Sequence, residues 1–156
     1  MRLQLSMILL LILTGFLPVV AAEIEPEKIL PPPHPWDGAS RTLIAPEDHS
    51  WQTPSEATGF KSTPSYEETM VWLRELVEAS PNLKLFTIGR SLEGRDILMV
   101  LASEKGRAPQ ENDRPLVLAQ AGIHGGEIDG KDAGLMLLRD LAFGEPTTLL
   151  QKVDFL

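Results

Sequence analysis

The chain has 156 residues, the length of one ordinary domain, and its 22 acidic and 14 basic residues give a net charge of -8. An acidic chain without a basic cluster argues against nucleic acid as a partner. The absence of Cys excludes disulfides, a thiol nucleophile, zinc held by thiolates and the lipid-bearing Cys of a bacterial lipoprotein.

The first 22 residues have the pattern of a secretory signal peptide. Arg2 supplies the positive start, residues 7–20 are almost wholly apolar, and Val20-Ala21-Ala22 is a small-residue cleavage site. The alternative is an uncleaved anchor, but the apolar run is shorter than the roughly 20 residues of a spanning helix. We expect cleavage, export to the periplasm or outside the cell, and no stable membrane span afterwards.

Residues 23–60 lack periodicity and contain seven prolines. Because this density prevents helix and disfavours central strands, we predict an extended arm or linker. Three aromatic residues are candidates for docking part of it: Trp36, Trp51 and Phe60. His34 and His49 also lie here. An isolated His in a loop is more often solvated than bound to metal, so neither is predicted as a ligand.

The sequence predicts a helix that begins after Ser65 and ends before Pro81. Ser65 is a good N-cap, and Glu68 completes a capping box. Four residues at helical spacing form the predicted core face: Tyr66, Met70, Leu73 and Val77.

Two strands follow, at residues 83–88 and 97–103, and the turn GRSLEGRD between them predicts an antiparallel hairpin. Glu93, Arg95 and Asp96 in this turn are either a polar site or a solvated loop with a local ion pair, and sequence pattern favours the loop. A polar surface loop is predicted for residues 104–115.

The run from Leu116 to Ala121 is apolar except for Gln120, which predicts a strand buried on both faces. A helix is predicted at residues 130–141, capped by Asp129. Its predicted apolar face has four members: Ala133, Met136, Leu137 and Leu141. Gly144 and Pro146 end it. Residues 149–156 then begin a further buried strand. A native domain rarely stops within a strand, so we expect a fragment or a truncated gene product.

Between that strand and that helix lies His124-Gly-Gly-Glu127. An imidazole and a carboxylate are good zinc donors, and the carboxyl ends of strands are where α/β sheets bind ligands. An isolated HxxE is usually a surface feature, but the preceding strand and the glycines favour a metal site. An anion site on the helix N–H groups is the alternative; Glu127 would repel a phosphate there. Catalytic zinc needs a third protein ligand and a water.

Three blocks together resemble the N-terminal part of a zinc carboxypeptidase of the carboxypeptidase A type: SYEETMVWLRELVEASP, IGRSLEGRDILMVLAS and LVLAQAGIHGGEIDG. The resemblance extends over roughly residues 63–156. It implies an α/β fold with a mixed central β-sheet flanked by helices, and one Zn²⁺ ion with His124 and Glu127 as its first two ligands. It also implies that the third ligand, the glutamate base and the substrate-binding arginines follow Leu156, so no catalytic residue lies within this chain and the chain alone is inactive.

We therefore divide the chain into a signal peptide at 1–22, the arm at 23–60 and the N-terminal part of a catalytic domain at 61–156. The expected substrate is a peptide or a small amide. Gly126 occupies the position where many digestive carboxypeptidases have an Arg that touches the peptide. Two alternatives therefore stay open: an amidohydrolase of N-acyl amino acids, similar to aspartoacylase and desuccinylase relatives, and a non-catalytic relative.

Overall fold

The computed structural model describes residues 26–32, 34–111 and 113–156, without the side chains of residues 26–27 and 145–147. The predicted signal peptide at residues 1–22 lies outside this range. Contacts divide the chain into two units, Met1–Trp36 and Asp37–Leu156. In the first unit the described regular element is the short helix α1, Pro26–Ile29. None of the helices in the described ranges is both long enough and apolar enough for a membrane span.

In the described residues of the second unit there are three helices and four strands. In chain order they are α2 at Pro54–Ala57, α3 at Tyr66–Ala79, β1 at Leu83–Arg90, β2 at Asp96–Ala102, β3 at Leu116–Val117, α4 at Asp129–Phe143 and β4 at Asp154–Phe155. Short 3-10 segments complete the connections: Ala39–Leu43, Glu104–Gly106, Pro109–Glu111 and Glu145–Gln151.

The segment before α3 is more structured than the predicted extended arm. Thr53 caps α2 through a complete capping box with Glu56, and Pro54 occupies the first helical turn, where its missing N–H has no cost. Trp51 docks as we expected: its ring stacks on Phe143 with centroids 5.4 Å apart. The proline density therefore did not prevent helices, because two of these prolines, Pro26 and Pro54, each begin a short one.

Helix α3 has the predicted span and capping box, but of its predicted core face only Leu73 is buried, while Tyr66, Met70 and Val77 are half-buried. The Ser65 hydroxyl accepts from the Glu68 N–H, and the Glu68 carboxylate accepts from the Ser65 N–H. The buried positions of the helix are Thr69, Leu73 and Leu76. Leu76 joins the main core cluster, whose other buried members are Leu83, Ala102, Leu141, Ala142 and Leu150.

The four strands form one mixed sheet in the order β1-β2-β4-β3. Strands β1 and β2 make the predicted antiparallel hairpin, with an irregularity between Thr87 and Gly89. Strand β4 pairs antiparallel with β2 and parallel with β3. With α3 contacting β1 and α4 contacting β2, the architecture is the α/β fold with a mixed sheet that we predicted.

The prediction of a strand at 116–121 buried on both faces is wrong. Strand β3 has two residues, and every residue from 116 to 121 is exposed. Among the described residues β3 pairs only with β4, continued by a bond from the Ala119 N–H to the Leu156 carbonyl. The apolar composition indicated burial, but within the described ranges no second strand and no covering helix supply it.

Helix α4 spans the predicted region, ending at Phe143 with Gly144 as its C-cap, but its predicted apolar face is partly wrong. Ala133 and Leu137 are exposed, whereas the buried residues are Leu135, Arg139, Leu141 and Ala142. The buried face differs from the predicted one because it includes a charged residue, Arg139, whereas the prediction considered only apolar residues. The strand predicted at residues 149–156 is also shorter than expected, since the 3-10 segment Glu145–Gln151 occupies its first three residues and β4 is limited to Asp154–Phe155.

Candidate metal centre

The segment that joins β3 to α4 contains a tight turn with both predicted metal ligands. Gly122 has a φ of 70°, the left-handed conformation that glycine adopts without strain. The Glu127 N–H then donates to the His124 carbonyl at 3.0 Å, which closes a turn around Gly125 and Gly126. Neither of these two glycines has a positive φ. Their effect is to leave open space, since a Cβ at either position would meet no atom within 4 Å.

The turn brings the His124 imidazole and the Glu127 carboxylate together. Nδ1 of His124 lies 3.0 Å from Oε1 of Glu127, and the two side chains are 74% and 69% exposed. Two donors at zinc distances of about 2.0–2.1 Å in a tetrahedral site would lie roughly 3.3 Å apart. A small opening of this pair therefore accommodates a zinc ion, and the open surroundings admit both the ion and a substrate.

The described part of the chain supplies two donors for such an ion and not three. Within residues 26–32, 34–111 and 113–156, no group of three or more His, Asp or Glu residues is placed to hold a metal. His49 instead accepts a hydrogen bond at Nδ1 from the Trp51 N–H. His34 is exposed. The residues present thus fit part of a zinc site: a nitrogen and an oxygen donor on one turn.

The start of α4 differs from the prediction that Asp129 caps it. The N-cap residue is Ile128, which makes no side-chain cap hydrogen bond, and Asp129 is the first helical residue. Asp129 cannot act as the cap because its own backbone is already helical. An acidic residue in the first turn still interacts favourably with the helix dipole.

A cleft of about 240 Å³ lies beside this end of α4. Ile128, Asp132 and Met136 line one side, and the loop at Phe60 lines the other. Phe60 has a φ of 61°, which is uncommon for a bulky side chain. The cleft borders the residues that directly follow Glu127, and its volume suits one side chain better than the roughly 300–1,000 Å³ of whole-ligand pockets.

A buried ion pair between Arg139 and Glu56 was not predicted from the sequence. Nη1 of Arg139 donates to both Glu56 oxygens at 2.7 and 2.6 Å, and Nη2 donates to the Leu43 carbonyl. Burial acts to raise the pKa of Glu56, but hydrogen bonds from the backbone of Ala45 and Thr53 and from Arg139 outweigh it and lower that pKa. The sequence feature that could have indicated this ion pair is an Arg within the apolar pattern of α4.

The hairpin turn at residues 89–96 contains local charge pairs. Glu93 pairs with Arg95 at 3.1 Å and Arg90 with Asp96 at 3.2 Å, all at exposed or partly exposed positions. The Arg95 guanidinium lies over the Tyr66 ring, 5.7 Å from its centroid. These contacts favour the solvated loop with local ion pairs over a separate polar site.

Comparison with protein families identifies the scaffold that bears this turn. The family model of zinc carboxypeptidases matches residues 69–156, which is more than half of the chain and includes His124 and Glu127. Neither a curated protein nor a solved structure matches the chain significantly.

Proposed function

Because the chain belongs to the zinc carboxypeptidase family, we propose that it is part of a zinc-dependent metallocarboxypeptidase that hydrolyses C-terminal peptide bonds. The observation that supports this most directly is the 3.0 Å approach of His124 and Glu127 on an exposed turn. In this proposal both residues are ligands of one Zn²⁺ ion. A further ligand and the proton-transferring base come from elsewhere in the active protein.

The chemistry divides between the metal and the chain. Zinc acts as a Lewis acid and lowers the pKa of a bound water to about 7. His124 supplies a neutral nitrogen donor and Glu127 an anionic oxygen donor, and the turn hydrogen bond between their backbones sets their spacing. The open space above Gly125 and Gly126 admits the substrate, and the cleft beside Ile128 offers room for one of its side chains. A side-chain cleft favours a peptide substrate.

A second candidate is an amidohydrolase of N-acyl amino acids on the same scaffold. The observation that favours it is at Gly126, where no side chain projects toward the substrate and a Cβ would meet no atom within 4 Å. Comparing the cleavage of blocked dipeptides with that of N-acyl amino acids by the zinc-loaded full-length protein separates the two. A third reading, a non-catalytic relative, requires that neither substrate class is cleaved.

The metal assignment is tested by zinc titration of the parent chain and of His124→Ala, Glu127→Ala and His49→Ala. We expect weak binding by the parent, because two donors leave the ion mostly hydrated, and further loss in the first two variants only. His49→Ala is the matched control, since His49 already accepts a backbone hydrogen bond. Binding that survives the loss of both His124 and Glu127 would refute the assignment.

A further inference from the structure

We infer that Thr63 and Lys131 are positioning residues for the metal-bearing turn, defined here as residues 122–128. They tie the first turn of α4 to the segment before α3 and so hold in place the end of the turn that carries Glu127. The metal-related part of this inference rests on the proposed function. The mechanical part, that these two contacts hold the turn, stands independently of it.

The need for such contacts arises because α4 has no local cap. Ile128, the N-cap residue, has φ -81° and ψ -25° and offers no side-chain acceptor to the first N–H groups of the helix. In a capped helix a Ser, Thr, Asp or Asn at this position fixes the direction in which the chain begins the helix. Here that direction is not set by the residues of the turn themselves.

Two long-range hydrogen bonds instead fix the position of the first helical turn. The Thr63 hydroxyl donates to Oδ1 of Asp132 at 3.0 Å, and the Lys131 ammonium donates to the Pro64 carbonyl at 2.7 Å. Lys131 also lies 3.4 Å from the same Asp132 oxygen. The side chains of Lys131 and Asp132 are 29% and 14% exposed, so water competes less for these bonds than at an open surface.

A close backbone contact joins the two ends of the metal-bearing turn. A Cβ at Gly130 would lie 3.3 Å from the Ala121 Cβ, so the glycine lets α4 approach the residue that precedes the turn. Ala121 and Gly130, the residues on either side of the turn, are therefore neighbours in space. The two hydrogen bonds act on residues 131 and 132, directly after Gly130. A shift of the first helical turn therefore displaces the end of the turn that carries Glu127 and loads the hydrogen bond that closes the turn.

The test measures backbone amide exchange and metal binding in Thr63→Val, Lys131→Met and the double variant. Thr63→Val keeps the side-chain shape and removes the hydroxyl, and Lys131→Met keeps most of the stem and removes the ammonium. Thr87→Val and Lys152→Met make the same chemical changes at exposed positions and serve as matched controls. The metal-free parent chain is the reference for exchange, and cobalt(II) is the spectroscopic probe of the site.

We expect faster exchange at the hydrogen-bonded amides of Glu127 and Asp132, with the core strands unchanged, and a loss of cobalt affinity of about three- to tenfold with an altered visible spectrum. This loss is smaller than the roughly 10–100-fold cost of removing a residue that bonds a ligand directly. Exchange equal to the parent, or faster exchange throughout the chain, would overturn the inference.

His124→Ala separates this inference from the proposed function. It should remove cobalt binding and leave the exchange pattern of the metal-free chain unchanged. If the parent binds no cobalt but Thr63→Val and Lys131→Met still speed exchange at the amides of Glu127 and Asp132, the two contacts hold the turn as inferred, and the metal assignment alone fails.

Discussion

Replacing Glu56 by Gln should strongly destabilise the protein at neutral pH. Glu56 is 5% exposed and Arg139 3% exposed, so the substitution removes the buried one of the two carboxylates that pair with the guanidinium. Removing one partner of a buried ion pair typically costs about 3–5 kcal/mol. Arg139 keeps its bonds to Asp140 and the Leu43 carbonyl. We therefore expect a loss of unfolding free energy at the lower end of this range, about 3 kcal/mol.

The isosteric Gln cannot satisfy the Glu56 site in either orientation of its amide. One carboxylate oxygen accepts from the Ala45 N–H and the other from the Thr53 N–H, and both accept from Arg139. Whichever oxygen becomes an NH₂ group therefore faces a backbone N–H donor and the guanidinium. This clash of donors adds to the loss of charge, because each buried donor left unsatisfied costs about 1–3 kcal/mol.

The cost should depend on pH in a defined direction. The pKa of Glu56 is lowered from its ordinary value of 4.5 in the folded state. A carboxyl group with a depressed folded pKa contributes stability that is fully present above the unfolded value and is lost as the pH falls through the folded value. The difference between parent and Glu56→Gln should thus be greatest near pH 7 and shrink below about pH 4.

Urea unfolding followed by tryptophan fluorescence measures this difference, since Trp51 and Trp72 pack against each other in the same region. Glu75→Gln, at an exposed position of α3, is the matched control and should change stability by less than about 0.5 kcal/mol. A cost for Glu56→Gln below about 1 kcal/mol at pH 7, or one that grows on acidification, would refute the reasoning.

Two further predictions concern α3 and the N-terminus. Ser65→Ala removes the hydroxyl of the capping box and should destabilise the protein by about 1 kcal/mol in urea unfolding. Ser62→Ala, at an exposed loop position, is expected to cost less, and equal costs would contradict the cap assignment. N-terminal sequencing of the mature protein from an expressing cell should begin at Glu23, and a protein that retains Met1 would contradict the predicted signal peptide.

Local sequence patterns predicted the elements whose stability is also local. The Ser65 and Glu68 box, the hairpin between β1 and β2 and the span of α4 all depend on residues a few positions apart, and all three formed. The pairing of His124 with Glu127 belongs to the same class, because a four-residue turn is enough to bring the two side chains together.

Features that depend on distant residues were missed or mistaken. Arg139 and Glu56 are 83 positions apart, and Thr63 and Asp132 are 69 apart, so neither contact leaves a periodic trace in the sequence. The burial of β3 was mistaken for the same reason. Apolar composition tells which residues favour burial, but the number of neighbouring strands decides whether they obtain it.

Both local and long-range contacts act on the metal-bearing turn. The sequence HGGE places the two proposed zinc ligands 3.0 Å apart by local geometry, yet the helix that follows has no side-chain cap and is held by the Thr63 and Lys131 contacts. Further along α4, Arg139 anchors the same helix to the α2 segment through Glu56. The segment before α3 therefore supports α4 at two points. Its removal should disturb the site even though it supplies neither His124 nor Glu127.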